Sequence, residues 1–265
     1  MNQPSTPGLG APAARLGQLY LVPAPLDFGC QQQAALRDVM PNGTLEQAAR
    51  LRYWICENAK STRAYLKRLG AQIPLGCALQ DLIIQELPRA VHKKGDHRGE
   101  FDARPLLQAA LLGHDMGLVS EAGMPAVADP GSSVVRAAHD LALSVHTLVG
   151  PVSPLLALAS SGLNGQNFAF VGYLPQEPAA RGRRAQELEK LALGSGQTQL
   201  FIEVPYRNAA MLQTLLKVLA PATRLAISSA LTMEQACTRS ASVAAWRDRA
   251  WALDNSVPAV FAIGP

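Results

Sequence analysis

The stretch that most constrains this chain is Leu118–Gly131, where two prolines and two glycines follow a short apolar run. Gly117 to Val119 reads as a buried strand, and Ser132 to Leu143 carries apolar residues at helical spacing (Val134, Val135, Ala138, Leu141). The order is therefore strand, Gly/Pro loop, helix. In an open parallel sheet such a loop lies at the carboxyl end of its strand, where ligands bind. Small residues there let the backbone approach a flat or charged ligand. The plainer reading is a turn that needs glycine and proline only for its dihedrals, and the rest of the chain has to decide.

The same alternation runs through about residue 163. Gln18 to Pro25 is a β-prone run stopped by prolines, so Pro23, Ala24 and Pro25 fall at the carboxyl end of a first strand. Residues 31–51 have a helical pattern interrupted at Pro41-Asn42-Gly43, and the second helix is expected to start near Thr44, which with Gln47 fits a capping box. Tyr53 to Cys56 reads as a buried strand running into a helix that ends at Gly70. Residues 92–104 form the most polar segment, either a solvated loop or one that touches phosphates through Lys93, Lys94 and Arg98. A helix from Pro105 to Leu112 leads back to the central strand. Val145 to Val149 is a further strand, followed by a helix from Leu155 to Ser161 closed by Gly162. This is the pattern of a parallel sheet covered by helices.

A second set of strands follows, at Phe168–Leu174, Leu200–Val204, Arg224–Ser229 and Ala259–Ile263. Pro175–Arg184 is expected as a loop before a charged helix over 185–193, and another helix runs to about Leu219. The fold class is thus α/β, with a flexible tail at 1–17 and two α/β domains at 18–150 and 151–265.

At 265 residues, with 48% hydrophobic and 17% charged residues, the chain can build a large core and is not of the disordered class. A net charge of +4 suits an anionic partner but is far from a nucleic-acid-binding stripe in itself. The four cysteines lack any Cys-x-x-Cys pair, which argues against zinc and against a disulfide framework. They read as the reduced thiols of a cytoplasmic protein. No apolar run reaches the length of a membrane span, and the first 18 residues lack the basic start and apolar segment of a signal peptide.

Several blocks, in order, carry a resemblance. They are Leu19-Tyr-Leu-Val-Pro-Ala-Pro25, Cys56-Glu-Asn-Ala-Lys-Ser-Thr-Arg63, Val119 to Gly131, Ser161-Gly-Leu163, Phe170-Val-Gly-Tyr-Leu-Pro175 and Glu203-Val-Pro-Tyr-Arg207. Over roughly residues 18 to 264 the chain resembles the class III S-adenosylmethionine-dependent methyltransferases of the tetrapyrrole/corrin methylase fold. Within them it is most similar to the branch that methylates a cytidine ribose 2′-hydroxyl of small-subunit ribosomal RNA.

The resemblance implies a mostly parallel N-terminal sheet, a mixed C-terminal sheet, S-adenosylmethionine in the cleft between them, and a homodimer. It also implies that Pro23, the central loop at Ser120, Glu121, Ala122, Gly123, Met124 and Val127, the turn at Val152 and Ser153, and the strand end at Glu203 and Val204 bind the cofactor. Methyl transfer is an in-line displacement, so the protein mainly aligns the reacting groups. A ribose hydroxyl also needs a base. Glu57 is the candidate base, with Lys60 and Arg63 as phosphate or electrostatic partners. Glu57 could equally cap the following helix, and Lys60 and Arg63 could be solvated.

The departures fall on polar positions. Where the ribosomal branch reads Glu-Asp-Thr-Arg, this chain has Glu57-Asn58-Ala59-Lys60, and Lys does not replace the planar fork of Arg. Ser-Asp-Ala-Gly-Thr-Pro becomes Ser120-Glu-Ala-Gly-Met-Pro125, Ile-Gly-Asn-Leu becomes Leu26-Asp-Phe-Gly29, and Arg-Glu-Leu-Thr-Lys becomes Ser229-Ala-Leu-Thr-Met233. The leading expectation is methylation of RNA, with a tetrapyrrole or other small acceptor as one alternative. The other is a divergent relative that binds the cofactor without catalysis.

Overall fold

The computed structural model describes residues 15–27, 29–94, 100–249 and 251–265. Most of the expected tail lies outside the described residues. So do 95–99 and the side chains of 92–94, and with them Lys93, Lys94 and Arg98.

The first half contributes strands β1 (Leu19–Leu21), β2 (Tyr53–Cys56), β3 (Ile83–Glu86), β4 (Met116–Val119) and β5 (Val145–Thr147). They form one sheet in the order β3-β2-β4-β1-β5, every pair parallel. Its helices are α1 (Leu36–Val39), α2 (Asn42–Arg50), α3 (Ala59–Gly70), α4 (Arg89–Lys94), α5 (Gln108–Leu111) and α6 (Ser132–Asp140). The central strand β4 is buried along its whole length, which explains its apolar sequence. Gly117 in it is required by packing: a Cβ there would lie 2.6 Å from the ring of Trp54, which is fully buried. Trp54, Leu45 and Leu66 belong to the core on one face, and Leu19, Ile55, Leu118 and Val134 to the core on the other. Each such side chain contributes about 1.5–3 kcal/mol on burial.

The second half contributes α7 (Ser153–Ser161), β6 (Phe168–Tyr173), α8 (Pro178–Ser195), β7 (Thr198–Glu203), α9 (Asn208–Val218), β8 (Arg224–Ser229), β9 (Cys237–Ser242), α10 (Val243–Arg249) and β10 (Ala259–Gly264). The sheet order is β6-β7-β10-β8-β9; β6 and β7 are parallel and the other pairs antiparallel. Ala157 and Leu158 of α7 pack on this second sheet with Leu200, Ala226 and Val260.

Register positions the functional loops. Leu21 pairs with Leu118, so β1 and β4 end side by side. Just beyond them Ala24 and Gly123 exchange both backbone hydrogen bonds at 2.9 Å, tying the first loop to the central one. Across the two halves, Cys30 packs against Ala230, Met233 and Val257.

Three expectations need correction. Helix α8 starts at Pro178, not 185: proline at the first helical position has no hydrogen bond to lose, and Glu177 caps the helix by accepting from the N–H groups of Ala179 and Ala180. Thr44 is not a capping residue. Helix α2 already begins at Asn42, and the Thr44 hydroxyl donates instead to the carbonyl of Val149 at 2.7 Å. Residues 105–112 do not form one helix; a 3₁₀ turn at Arg104–Leu107 leads into the single turn α5. Edge strands β3 and β9 are additions to the expected set: β9 is polar, and the apolar signal of β3 stops at Ile83 and Ile84 before Gln85 and Glu86.

Candidate functional site

A cleft of about 260 Å³ opens where the carboxyl ends of the first sheet meet the second. From the first half it is lined by Gly123, Met124, Asp129 and Val152, and from the second by Tyr173, Ile202, Glu203 and Val260. Small-molecule sites span about 300–1,000 Å³, mostly apolar with a few placed polar groups, so this cleft sits close to the lower end of that range. The central loop that shapes it is conformationally unusual. Gly123 and Gly131 have φ of 73° and 134°, and Ala126 and Ala128 also hold positive values of 64° and 67°. A non-glycine residue in the left-handed region costs roughly 1–2 kcal/mol, and such geometry gathers at ligand sites.

The cleft is rich in acid. Burial, and then the negative charges of Glu57 and Glu121, push the Asp129 carboxyl up to about 8. The Tyr173 hydroxyl is also raised, by partial burial and then by the charges of Asp129 and Glu203. Glu203 has a fully buried side chain whose Oε1 accepts from Arg207 at 2.7 and 3.0 Å and from the Val204 N–H at 2.7 Å. Its Oε2 is buried with no hydrogen-bond partner among the described residues. A ligand carrying positive charge or hydroxyl donors suits this lining.

Asp129 gives the cleft a pH signature. In the ligand-free native state it keeps a proton that an unfolded aspartate releases near 3.8, so stability falls as pH rises from about 4 to about 8. Asp129→Asn cannot ionise and lacks that slope. In thermal melts it should match the wild type below about pH 3.8 and exceed it increasingly as pH rises toward 8; parallel curves would contradict the assignment.

A second cavity, of about 320 Å³, adjoins the first loop and α3; its lining includes Asp27, Ser61, Ala64, Arg68, Ser120 and Glu121. Consecutive residues of one strip thus open onto two cavities: Ser120 and Glu121 onto this one, Ala122 to Met124 onto the cleft.

The expected site residues are distributed accordingly. Ala122, Gly123, Met124 and Val127 line the cleft, as do Val152, Ser153, Glu203 and Val204. Pro23 lines neither cavity; its ring packs on Gly150, where a Cβ would come within 2.2 Å of it. Glu57, at the end of β2, lies close enough for its charge to bear on Asp129 and Tyr173. Helix α3 is capped by Asn58, whose side chain accepts from the N–H groups of Lys60 and Ser61, so capping is not what Glu57 does here. Lys60 is exposed on the first turn of α3 and lines neither cavity. The Arg63 guanidinium donates to the Leu79 carbonyl at 3.2 Å, on a 3₁₀ turn at Leu79–Asp81. Sequence reading missed Asp129 and Tyr173, although both stand inside blocks that carry the resemblance. Among the described residues no group of His, Cys, Asp and Glu is arranged to hold a metal ion.

The fold is thus α/β, with two sheets, one parallel and one mixed, and a cleft of ligand size where they meet. Residues 44–244 match the family described as Tetrapyrrole (Corrin/Porphyrin) Methylases, and the chain belongs to that family. Among curated proteins it is 34% identical to "Ribosomal RNA small subunit methyltransferase I" of Vibrio cholerae serotype O1, over 137 residues covering 52% of this chain and 46% of that protein. The protein of the same name from Mesorhizobium japonicum is 32% identical over 238 residues, 89% of this chain and 71% of the relative. The chain thus spans about half the length of the Vibrio relative and more of the Mesorhizobium one. Among solved structures, that of the methyltransferase CobJ aligns with a TM-score of 0.54 at 18% identity, covering 94% of each chain, a likeness of fold.

Proposed function

We propose that the protein is an S-adenosylmethionine-dependent methyltransferase acting on a ribose 2′-hydroxyl of RNA, most plainly ribosomal. The observation that carries this is the acid-rich cleft at the meeting of the strand ends, in a chain of this family. The cleft residues fit the cofactor. Apolar walls at Met124, Ile202 and Val260 suit its base, and the loop at Gly123 brings backbone to it. Glu203, whose Oε2 has no partner among the described residues, suits its positive charge, and the protonated Asp129 offers a hydrogen-bond donor. The bound cofactor would supply an electrophilic methyl on a sulfonium, whose carbon–sulfur bond breaks, leaving the electron pair on sulfur, as the acceptor oxygen bonds to carbon.

The chain's own residues supply the rest. Glu57 takes the hydroxyl proton as general base. At neutral pH Asp129 holds its proton, so it donates a hydrogen bond and does not compete for that role. Lys60, exposed beside the site, is available to a substrate phosphate. Arg63, held at the Leu79 carbonyl, has a structural part in this reading. The RNA acceptor is favoured over a tetrapyrrole because the curated relatives are named for ribosomal RNA. A net charge of +4 suits a polyanion. A cytoplasmic homodimer completes the reading, supported by exposed apolar residues at Val149, Leu155 and Leu156, and light scattering checks the dimer. No helix among the described residues is long and apolar enough to cross a membrane.

The test is transfer of labelled methyl to small-subunit RNA. Glu57→Gln should lower kcat by about 10²–10⁴-fold, the range of a lost general base, while cofactor affinity changes little. A fully active Glu57→Gln enzyme would remove the base from this residue.

A further inference from the structure

The second cavity is not explained by cofactor binding. Its chemistry is set by a pair at its wall: Arg68 donates to both carboxylate oxygens of Asp27 at 3.1 and 3.0 Å and to the Ala34 carbonyl at 2.9 Å. Asp27 is only 2% exposed and also accepts from the Ala34 N–H. Among the described lining residues Arg68 is the only cation, and Asp27 neutralises it. Glu121, on the opposite loop, accepts from the Ser61 hydroxyl at 3.3 Å and leaves the cavity with negative charge. A phosphate is therefore disfavoured here, whereas neutral groups bearing O–H or N–H donors are matched by carboxylate acceptors.

One group is left over. Ser120 lines this cavity and is 5% exposed, and its hydroxyl is buried with no hydrogen-bond partner among the described residues. Leaving a buried hydroxyl unmade is costly, and a ligand hydroxyl would complete it. The residue stands one step from Glu121 and two from Ala122, which begins the cleft lining.

We infer that this second cavity receives the acceptor nucleoside by its sugar hydroxyls, with Ser120 and Glu121 as their hydrogen-bond partners and the Asp27–Arg68 pair as the fixed wall. The inference rests on the methyltransferase reading and deepens it. The strip from Ser120 to Met124 then separates acceptor from donor while touching both. Ser120 is a positioning residue on the acceptor side and not a cofactor ligand.

The test uses the full chain loaded with S-adenosylhomocysteine and a fluorescein-labelled hexacytidylate RNA, read by anisotropy. Ala64 is exposed on α3 and lines the cavity, so Ala64→Trp fills the cavity without touching the core. Ala64→Trp should abolish measurable RNA binding. Ser120→Ala should weaken binding about tenfold, the scale of one neutral hydrogen bond. Both should keep S-adenosylhomocysteine affinity within about threefold in calorimetry, and the deoxy hexamer should bind the wild type less well than the RNA. Wild-type-like RNA binding by Ala64→Trp would overturn the assignment and leave the RNA reading standing. Loss of S-adenosylhomocysteine binding in Ser120→Ala would return Ser120 to the donor side and overturn it too. A wild type that binds S-adenosylhomocysteine but no RNA would overturn both.

Discussion

Gly117→Val is expected to destabilise the protein by about 3 kcal/mol or more, the upper part of the range for overpacked cores. Gly117 sits in the central strand β4, hydrogen-bonded between β1 and β2, so its backbone cannot retreat. A Cβ would stand 2.6 Å from two atoms of the Trp54 ring and 3.1 Å from Leu51. Trp54 cannot swing away either, since it is fully buried and its indole N–H donates to the Leu51 carbonyl at 3.2 Å. Chemical denaturation followed by far-ultraviolet circular dichroism measures the loss. Adding Trp54→Leu should recover part of it, because the two positions share one volume and their effects do not add. A loss under about 0.5 kcal/mol, the scale of a neutral surface change, would show that Trp54 does not lie on Gly117.

The second large effect concerns ligand binding. Gly123→Val should weaken S-adenosylmethionine at least 100-fold while leaving most of the fold intact. Gly123 holds φ of 73°, a conformation that a β-branched residue rarely adopts. Its added Cβ would lie 3.2 Å from Leu26 and 3.5 Å from the Pro151 carbonyl, and Leu26 itself lines the cleft. The two branches of valine would then project into the space between the first and central loops. That backbone is also the paired partner of Ala24, so strain there displaces both loops. Circular dichroism of the variant separates a blocked cleft from an unfolded one. Unchanged affinity in a folded Gly123→Val would place the cofactor elsewhere.

What was legible in the sequence follows burial. The all-apolar β4 and the half-buried helices with a clear face announced themselves, and so did the Gly/Pro loop between them. The resemblance led to residues that line the cleft on its loop side, from Ala122 to Met124 and at Val152, Glu203 and Val204. Edge strand β9 did not show because it is polar, and β3 because its apolar part is only Ile83 and Ile84. In sequence Pro178 looks like a stop, and its role at the start of helix α8 depends on the Glu177 cap.

The charge of the cleft was the least visible feature. Asp129 and Glu57 are 72 positions apart (129 minus 57), and only the parallel pairing of β2 with β4 brings their strand ends together. The Asp27–Arg68 pair is hidden in the same way, joining a loop after β1 to the last turns of α3. The split of the Ser120–Met124 strip between two cavities could not be read from a motif that presents it as one unit.

Whether the cleft binds S-adenosylmethionine is read straight from calorimetric titration of the purified wild type. Saturable micromolar binding of S-adenosylmethionine and S-adenosylhomocysteine is expected, lost in folded Gly123→Val. No heat and no thermal stabilisation at millimolar ligand, in protein that is folded and monodisperse, would contradict it.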